Sequence, residues 1–170
     1  VEEKFEGEDR LLIPSPKVAT YDMKPEMSAI EITDKLINYV DENKPDFICL
    51  NYANTDMVGH TGVFSAAVKA TETVDTCLGR LLTILFEHDY HAVIIADHGN
   101  SDVMVNPDGT PNTQHSTNPV PVIFAGNDVS KDNYLVKSGK LGDIAPSILT
   151  MMDIDIPEDM TGNIIIERKN

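Results

Sequence analysis

Apolar residues along the chain follow two patterns, one with the spacing of helices and one with the length of short strands. After residues 28–31, which read as a capping box, apolar positions recur at helical spacing until Pro45. A longer stretch, residues 64–85, repeats its apolar positions at i, i+3 and i+4 and predicts a second amphipathic helix. A third stretch ends near Met152, and Asp143 is its predicted helix N-cap.

Three short apolar runs have the length of buried strands. They cover residues 47–50, 93–96 and 120–125. Because these runs alternate with helices, we predict an α/β protein, a three-layer sandwich around a mainly parallel sheet. In such sheets, binding sites lie beyond the carboxyl ends of the strands. The polar residues that directly follow residues 50 and 96 are therefore where we expect the chemistry.

Composition and charge limit the classes of protein that remain. A length of 170 residues is typical of one domain, so a single domain is predicted over residues 1–170. With 13 basic and 28 acidic side chains, the net charge of −15 excludes a nucleic-acid binder built on clustered basic residues. We find neither an apolar stretch of the roughly 20 residues that cross a membrane nor an N-terminal signal region at residues 1–4. Cys49 and Cys77 lie in apolar runs as predicted core residues, and this usage favours the reducing cytoplasm.

Three of the five histidines fall in or beside the predicted loops after strands, and these are His60, His98 and His115. Asp56 precedes His60 by four residues, so either a helical turn or a tight loop brings both side chains to one face. Asp97 adjoins His98 at a strand end, where a turn directs both toward one site. Imidazole and carboxylate suit Zn²⁺ or Mn²⁺, and paired ions about 3.5–4 Å apart clamp a transferring phosphoryl group. The residues together predict a binuclear phosphoryl-transfer site, although each one alone also fits an ordinary cap or solvated side chain.

Five motifs occur in an order that is similar to one family. They are PSPKVATYD (residues 14–22), KPEMSA (residues 24–29), NTDMVGHTG (residues 54–62), ADHGN (residues 96–100) and HSTNPVP (residues 115–121). This pattern resembles the cofactor-independent (2,3-bisphosphoglycerate-independent) phosphoglycerate mutases of the alkaline phosphatase superfamily. The resemblance implies an alkaline-phosphatase-like fold and an enzyme of glycolysis. Such an enzyme interconverts 3-phosphoglycerate and 2-phosphoglycerate through a phosphoserine intermediate with two divalent ions. Mn²⁺ is favoured, with Zn²⁺, Co²⁺ and Mg²⁺ as alternatives.

The resemblance also implies roles for individual residues. Two sets match the family's metal ligands, Asp56 with His60 and His115 for one ion, and Asp97 with His98 for the other. Lys17 matches a lysine that faces the transferring phosphate, which makes it a candidate substrate-binding residue. Phosphoglycerate is the implied substrate, and no residue of this chain is predicted to be catalytic.

Parts of the family pattern are missing from this sequence. In the family, the nucleophilic serine and a further metal-binding aspartate lie in a preceding segment, and an inserted domain supplies the arginines that hold the glycerate. Because no serine here lies in the nucleophile motif, we expect a C-terminal portion of the phosphatase-like domain that is inactive by itself. An empty second metal site is an expected outcome, since that site loses ligands. The incomplete sheet leaves an unfilled edge, through which we expect self-association.

Two other functions stay open. A metal-dependent phosphatase or sulfatase of the same superfamily also keeps sets of aspartate and histidine ligands. A non-catalytic metal-binding module is the alternative from another class. Hydrolysis of p-nitrophenyl phosphate without mutase activity would indicate the phosphatase or sulfatase. Catalysis that survives the loss of Asp56 or His115 would indicate the non-catalytic module.

Overall fold

The structure, a computed structural model, describes residues 2–169. Val1, one of the four residues over which no signal region is predicted, lies outside the described residues. The chain forms two compact units, one of residues 2–88 and 99–117 and the other of residues 89–98 and 118–169. The single domain predicted over the whole chain stays a prediction. Within the described chain, every helix is too short or too polar to cross a membrane.

Three α-helices build the first unit. They are α1 (Ala29–Asn43), α2 (Asn54–Gly59) and α3 (Phe64–Glu87). Helix α1 packs against α3, and its apolar stripe buries Leu36 and Val40, while α3 buries Leu81 and Leu85. Full burial of an aliphatic side chain of this size stabilises the fold by about 1.5–3 kcal/mol. The two long helices predicted from apolar spacing are therefore confirmed.

The predicted capping box at the start of α1 is wrong. Ser28 occupies the N-cap position but makes no side-chain cap hydrogen bond. Its hydroxyl donates instead to the carbonyl oxygen of Pro14 at 2.7 Å. Glu31 forms an ion pair with Lys35, one turn later in the helix, at 2.9 Å. Both side chains that a capping box requires are thus engaged elsewhere.

Two antiparallel ladders and one α-helix build the second unit. Its elements are β1 (Ala92–Ile95), β2 (Val122–Ala125), β3 (Tyr134–Val136), α4 (Ile144–Met151) and β4 (Ile166–Arg168). Strand β1 pairs with β2, and β3 pairs with β4. The buried core of this unit is formed by Phe124 from β2 together with Ile165 and Ile166 at the start of β4.

The parallel orientation predicted for residues 93–96 and 120–125 is wrong for this pair. Ala92 lies opposite Ala125, and Ile95 lies opposite Val122, so β1 and β2 run in opposite directions. Neighbouring parallel strands need a crossover connection, which is usually a helix. Residues 96–121 contain no helix that could form such a crossover, and β2 therefore pairs antiparallel with β1.

The third predicted strand, residues 47–50, is not observed, since these residues belong to no helix and no paired strand of the described chain. An extended segment becomes part of a sheet only when a neighbouring backbone completes its hydrogen bonds. Phe47 is consequently 57% exposed. Cys49 is also exposed, which contradicts its predicted place in the core, whereas Cys77 is buried as predicted.

Asp143 precedes α4 as predicted, but its carboxylate does not cap that helix. Its two oxygens accept hydrogen bonds from the backbone N–H groups of Lys140 and Asn163, each at 2.8 Å. The side chain is 2% exposed, so it links two backbone segments inside the second unit. The N–H donors of Lys140 and Asn163 hold the pKa of the Asp143 carboxyl below its ordinary value of 3.8.

We expect Asp143→Asn to destabilise the protein near neutral pH, because the amide cannot accept both N–H donors. A depressed carboxyl pKa stabilises the fold above the unfolded-state pKa of about 3.9, and this contribution is lost as pH falls through the lower folded-state value. The difference in melting temperature between wild type and variant should therefore shrink below about pH 4. Thermal unfolding followed by circular dichroism across pH measures it. Asp155→Asn, which removes an exposed carboxylate of the same unit, is the control; an equal effect of both variants would contradict the assignment.

Candidate metal centre

Helix α2 places Asp56 and His60 on one face. Asp56 lies within the helix and His60 is its C-cap residue, so the helical alternative for this pair is the one observed. The Nε2 atom of His60 lies 3.2 Å from Oδ1 of Asp56. Val58, between them in sequence, is fully buried and packs with Met27 and with the start of α3. The side of α2 opposite the polar pair is thereby fixed in the core of the first unit.

His115 reaches the same place from a segment 55 residues beyond His60. Its Nε2 atom lies 3.1 Å from Oδ1 of Asp56 and 3.1 Å from Nε2 of His60. The two imidazole rings are tilted by 42°, with centroids 4.9 Å apart. Three atoms of the types that bind metals therefore converge within the first unit.

The spacing of these three atoms fits a shared divalent ion. Ligands about 2.0–2.1 Å from one ion are about 2.9 Å apart in octahedral geometry and about 3.3 Å apart in tetrahedral geometry. The separations of 3.1–3.2 Å among Asp56, His60 and His115 fall between these values. Two imidazoles and one carboxylate are a donor set that suits Zn²⁺, Mn²⁺ and related ions. The three side chains of Asp56, His60 and His115 therefore fit a divalent ion of this kind.

A backbone carbonyl orients the ring of His60. The Nδ1 atom of His60 lies 2.7 Å from the carbonyl oxygen of Thr113, which can only accept a hydrogen bond. In the neutral form of this imidazole, the contact places the proton on Nδ1 and the lone pair on Nε2. This lone pair faces the carboxylate oxygen of Asp56, and two acceptors at that distance repel unless a cation or a proton lies between them. Metal-ligating histidines usually have such an outer hydrogen bond.

Two contacts of this cluster lie outside the predicted residue set. One is the Thr113 carbonyl, which no side-chain pattern could have indicated. The other is the Asn100 amide, whose Nδ2 donates to Oδ1 of Asp56 at 2.8 Å. Asn100 closes the ADHGN motif that carried the family resemblance. The motif thus indicated that this part of the chain is functional, but no role was predicted for Asn100 itself.

Asp97 and His98 belong to the second unit and follow β1 after Ala96. One oxygen of Asp97 accepts a hydrogen bond from the backbone N–H of His98 at 3.1 Å. The other oxygen lies 3.5 Å from Nε2 of His98, and the Asp97 side chain is 79% exposed. The two side chains thus lie beside each other after β1, and their convergence on one site stays a prediction. Their role as ligands of a second ion stays a prediction.

Lys17 lies exposed in a segment without helix or strand that follows the two prolines of the PSPK sequence. The hydrogen bond from Ser28 to Pro14 ties this segment to the start of α1 at 2.7 Å. Lys17 is thus on an anchored, accessible loop of the first unit, and its contact with a phosphate stays a prediction.

Comparisons with known proteins point to the same chemistry. The family model described as Metalloenzyme superfamily matches residues 1–156. A 2,3-bisphosphoglycerate-independent phosphoglycerate mutase of Clostridium botulinum is 57% identical over 168 residues, which are 98% of this chain and 32% of the relative. The protein of the same name from Clostridioides difficile is 55% identical over 169 residues, or 99% of this chain and 33% of the relative.

A solved structure is also similar. It is a crystal structure of Leishmania mexicana phosphoglycerate mutase at low cobalt concentration, with a TM-score of 0.81 and 26% sequence identity over 92% of this chain and 31% of that one. The chain spans about a third of the length of the curated relatives that it matches. Since the family model covers most of the sequence, the chain belongs to the metalloenzyme superfamily.

Proposed function

We propose that this chain provides metal-binding parts of a phosphoglycerate mutase that interconverts 3-phosphoglycerate and 2-phosphoglycerate through a phosphoserine intermediate. The observation that carries the proposal is the convergence of Asp56, His60 and His115 within 3.1–3.2 Å. Identity of 57% to a mutase of that name supports the choice of reaction. We prefer Mn²⁺ as the ion, and the similar crystal structure at low cobalt concentration supports a divalent transition metal.

In this proposal, Asp56, His60 and His115 would hold one ion. When bound, that ion supplies a positive charge that attracts and orients phosphoryl oxygens. A net charge of −15 opposes the approach of a phosphate ester, so a local positive site is needed. The Thr113 carbonyl retains the Nδ1 proton of His60, which leaves Nε2 free to act as a ligand.

The remaining predicted residues take complementary roles. Asp97 and His98 would contribute to a second ion site, which other ligands of a longer protein would complete. Lys17 would offset negative charge on the transferring phosphate. Within the 170 residues, no serine lies in the family's nucleophile motif, so we expect no turnover from the chain alone and an empty or weak second site.

We also propose how the fold is completed, how the isolated chain assembles and where the protein is located. A three-layer sandwich around a mainly parallel sheet would be completed by segments beyond this chain, and the unpaired residues 47–50 would then join that sheet. In the isolated chain, the same unpaired edge would favour self-association. A cytoplasmic location agrees with the two free cysteines.

A chimera tests the function. The 168 matching residues of the Clostridium botulinum mutase are replaced by this chain, and conversion of 3-phosphoglycerate is measured with Mn²⁺ and after chelation. We expect chelator-sensitive mutase activity from the chimera and none from the chain alone, because only the chimera holds the family's nucleophile. Hydrolysis of p-nitrophenyl phosphate without mutase activity would favour the phosphatase alternative. Mutase activity that survives the change of Asp56 to alanine would contradict a catalytic metal site at this cluster.

A further inference from the structure

Asn100 is a buried side chain that touches two members of the three-residue cluster. It is 6% exposed. Its Nδ2 atom donates to Oδ1 of Asp56 at 2.8 Å and lies 3.5 Å from Nε2 of His60. An amide nitrogen has no lone pair to offer a metal, so these contacts distinguish Asn100 from the ligands themselves.

Helix α2 leaves room for the Asn100 side chain where it ends at Gly59. Gly59 is the last residue of α2, and a Cβ atom there would lie 2.1 Å from Oδ1 of Asn100 and 2.7 Å from Oγ of Ser101. The absence of a side chain at Gly59 therefore allows the loop to approach the helix. Ser101 secures the approach, since its hydroxyl donates to the carbonyl oxygen of Thr55 at 2.8 Å.

The donated hydrogen bond restricts the carboxylate of Asp56. A partial rotation about the Cβ–Cγ bond would turn Oδ1 away from the two Nε2 atoms that it faces. A donor at 2.8 Å from Oδ1 opposes that rotation. His60 is already oriented by the Thr113 carbonyl at 2.7 Å. The anionic ligand and one imidazole thus each have an outer hydrogen bond of the kind that fixes metal ligands before the ion arrives.

We propose that Asn100 is a positioning residue for the metal site, holding Oδ1 of Asp56 toward the Nε2 atoms of His60 and His115. This inference rests on the proposed function, because it requires the cluster to bind an ion. The Gly59 and Ser101 contacts serve the same end by holding the loop at a distance from α2 that allows the amide to reach the carboxylate.

Isothermal titration of the full chain with Mn²⁺ tests the proposal. Asn100→Leu keeps the branched shape of the side chain but removes the donor, and we expect binding about 10- to 100-fold weaker than in wild type. The matched control is Asn106→Leu, which removes an amide from a neighbouring turn where it donates to Thr110 and Pro111 at 3.1 Å. The control should bind Mn²⁺ within about twofold of wild type, well inside the change expected of a lost outer-shell partner.

A second readout separates positioning from general loss of structure. The visible absorption of bound Co²⁺ reports ligand geometry, and it should change in Asn100→Leu but not in the control, while the metal-free melting temperatures stay close to wild type. If the leucine variant fails to fold, Asn100→Ala replaces it with the same expectation. Wild-type affinity in the folded variant, or an equal loss in the control, would overturn the positioning role. Failure of the wild-type chain to bind Mn²⁺ would instead refute the proposed metal site, and the inference with it.

Discussion

Replacing His115 by alanine is expected to weaken Mn²⁺ binding by more than about 100-fold. Loss of an outer hydrogen bond to a ligand already costs about 10- to 100-fold, and His115 is proposed as a ligand itself. Its Nε2 atom is 3.1 Å from both partner atoms in Asp56 and His60. The His115 side chain is 47% exposed, so its removal should leave the fold intact. Calorimetric titration of the full chain measures the change.

His88→Ala is the matched control for this prediction. It also removes a partly exposed imidazole, but one that pairs with Asp41 at 2.8 Å and joins α3 to α1. A partly exposed pair of this kind contributes about 0–1 kcal/mol, so the control should lose a little stability and retain its affinity for Mn²⁺. Equal affinities of the His115 variant and wild type would rule out His115 as a ligand.

Phe124→Ala is expected to lower the free energy of unfolding by about 3–5 kcal/mol. Phe124 is 8% exposed and packs with Ile165 and Ile166 in the core of the second unit. Its ring also contacts Tyr134 edge-on at a centroid distance of 5.0 Å. Truncation loses the transfer free energy of the ring and leaves a cavity, which together amount to a large part of a typical domain's stability of about 5–15 kcal/mol. Chemical denaturation followed by circular dichroism measures the effect.

Ile123→Ala serves as the control on the same strand. Ile123 is adjacent in β2 but 51% exposed, because successive strand residues point to opposite faces. Its truncation should cost less than about 1 kcal/mol, near the range of surface substitutions. Similar losses from the two variants would show that Phe124 is not the core residue described above.

Local pattern was sufficient for the long helices but not for how their ends are capped. The stripes of α1 and α3 follow from i, i+3 and i+4 spacing, which is a property of neighbouring residues. Ser28 and Asp143 have the residue types of helix caps, yet each bonds a distant backbone group, in Pro14 and Asn163 respectively. A short polar side chain bonds the donor or acceptor that the fold places beside it. Spacing along the chain does not contain that information.

For the strands and the candidate site, too, local spacing predicted some features and the fold decided others. Apolar runs marked the positions of β1 and β2, but the direction of their pairing depends on the path of the connecting chain. Asp56 and His60 could be paired from their spacing alone, because one helical turn brings them together.

By itself, the sequence determined the long helices, the apolar runs and the residue types suited to divalent metals, since these depend on side-chain chemistry and near neighbours. Only the tertiary structure decided that His115 meets Asp56 and His60, that the Thr113 carbonyl sets the proton position on His60, and that Asn100 reaches the carboxylate. Those contacts join segments more than 40 residues apart. They exist because helix packing and a close approach at Gly59 bring the segments together, which no local preference specifies.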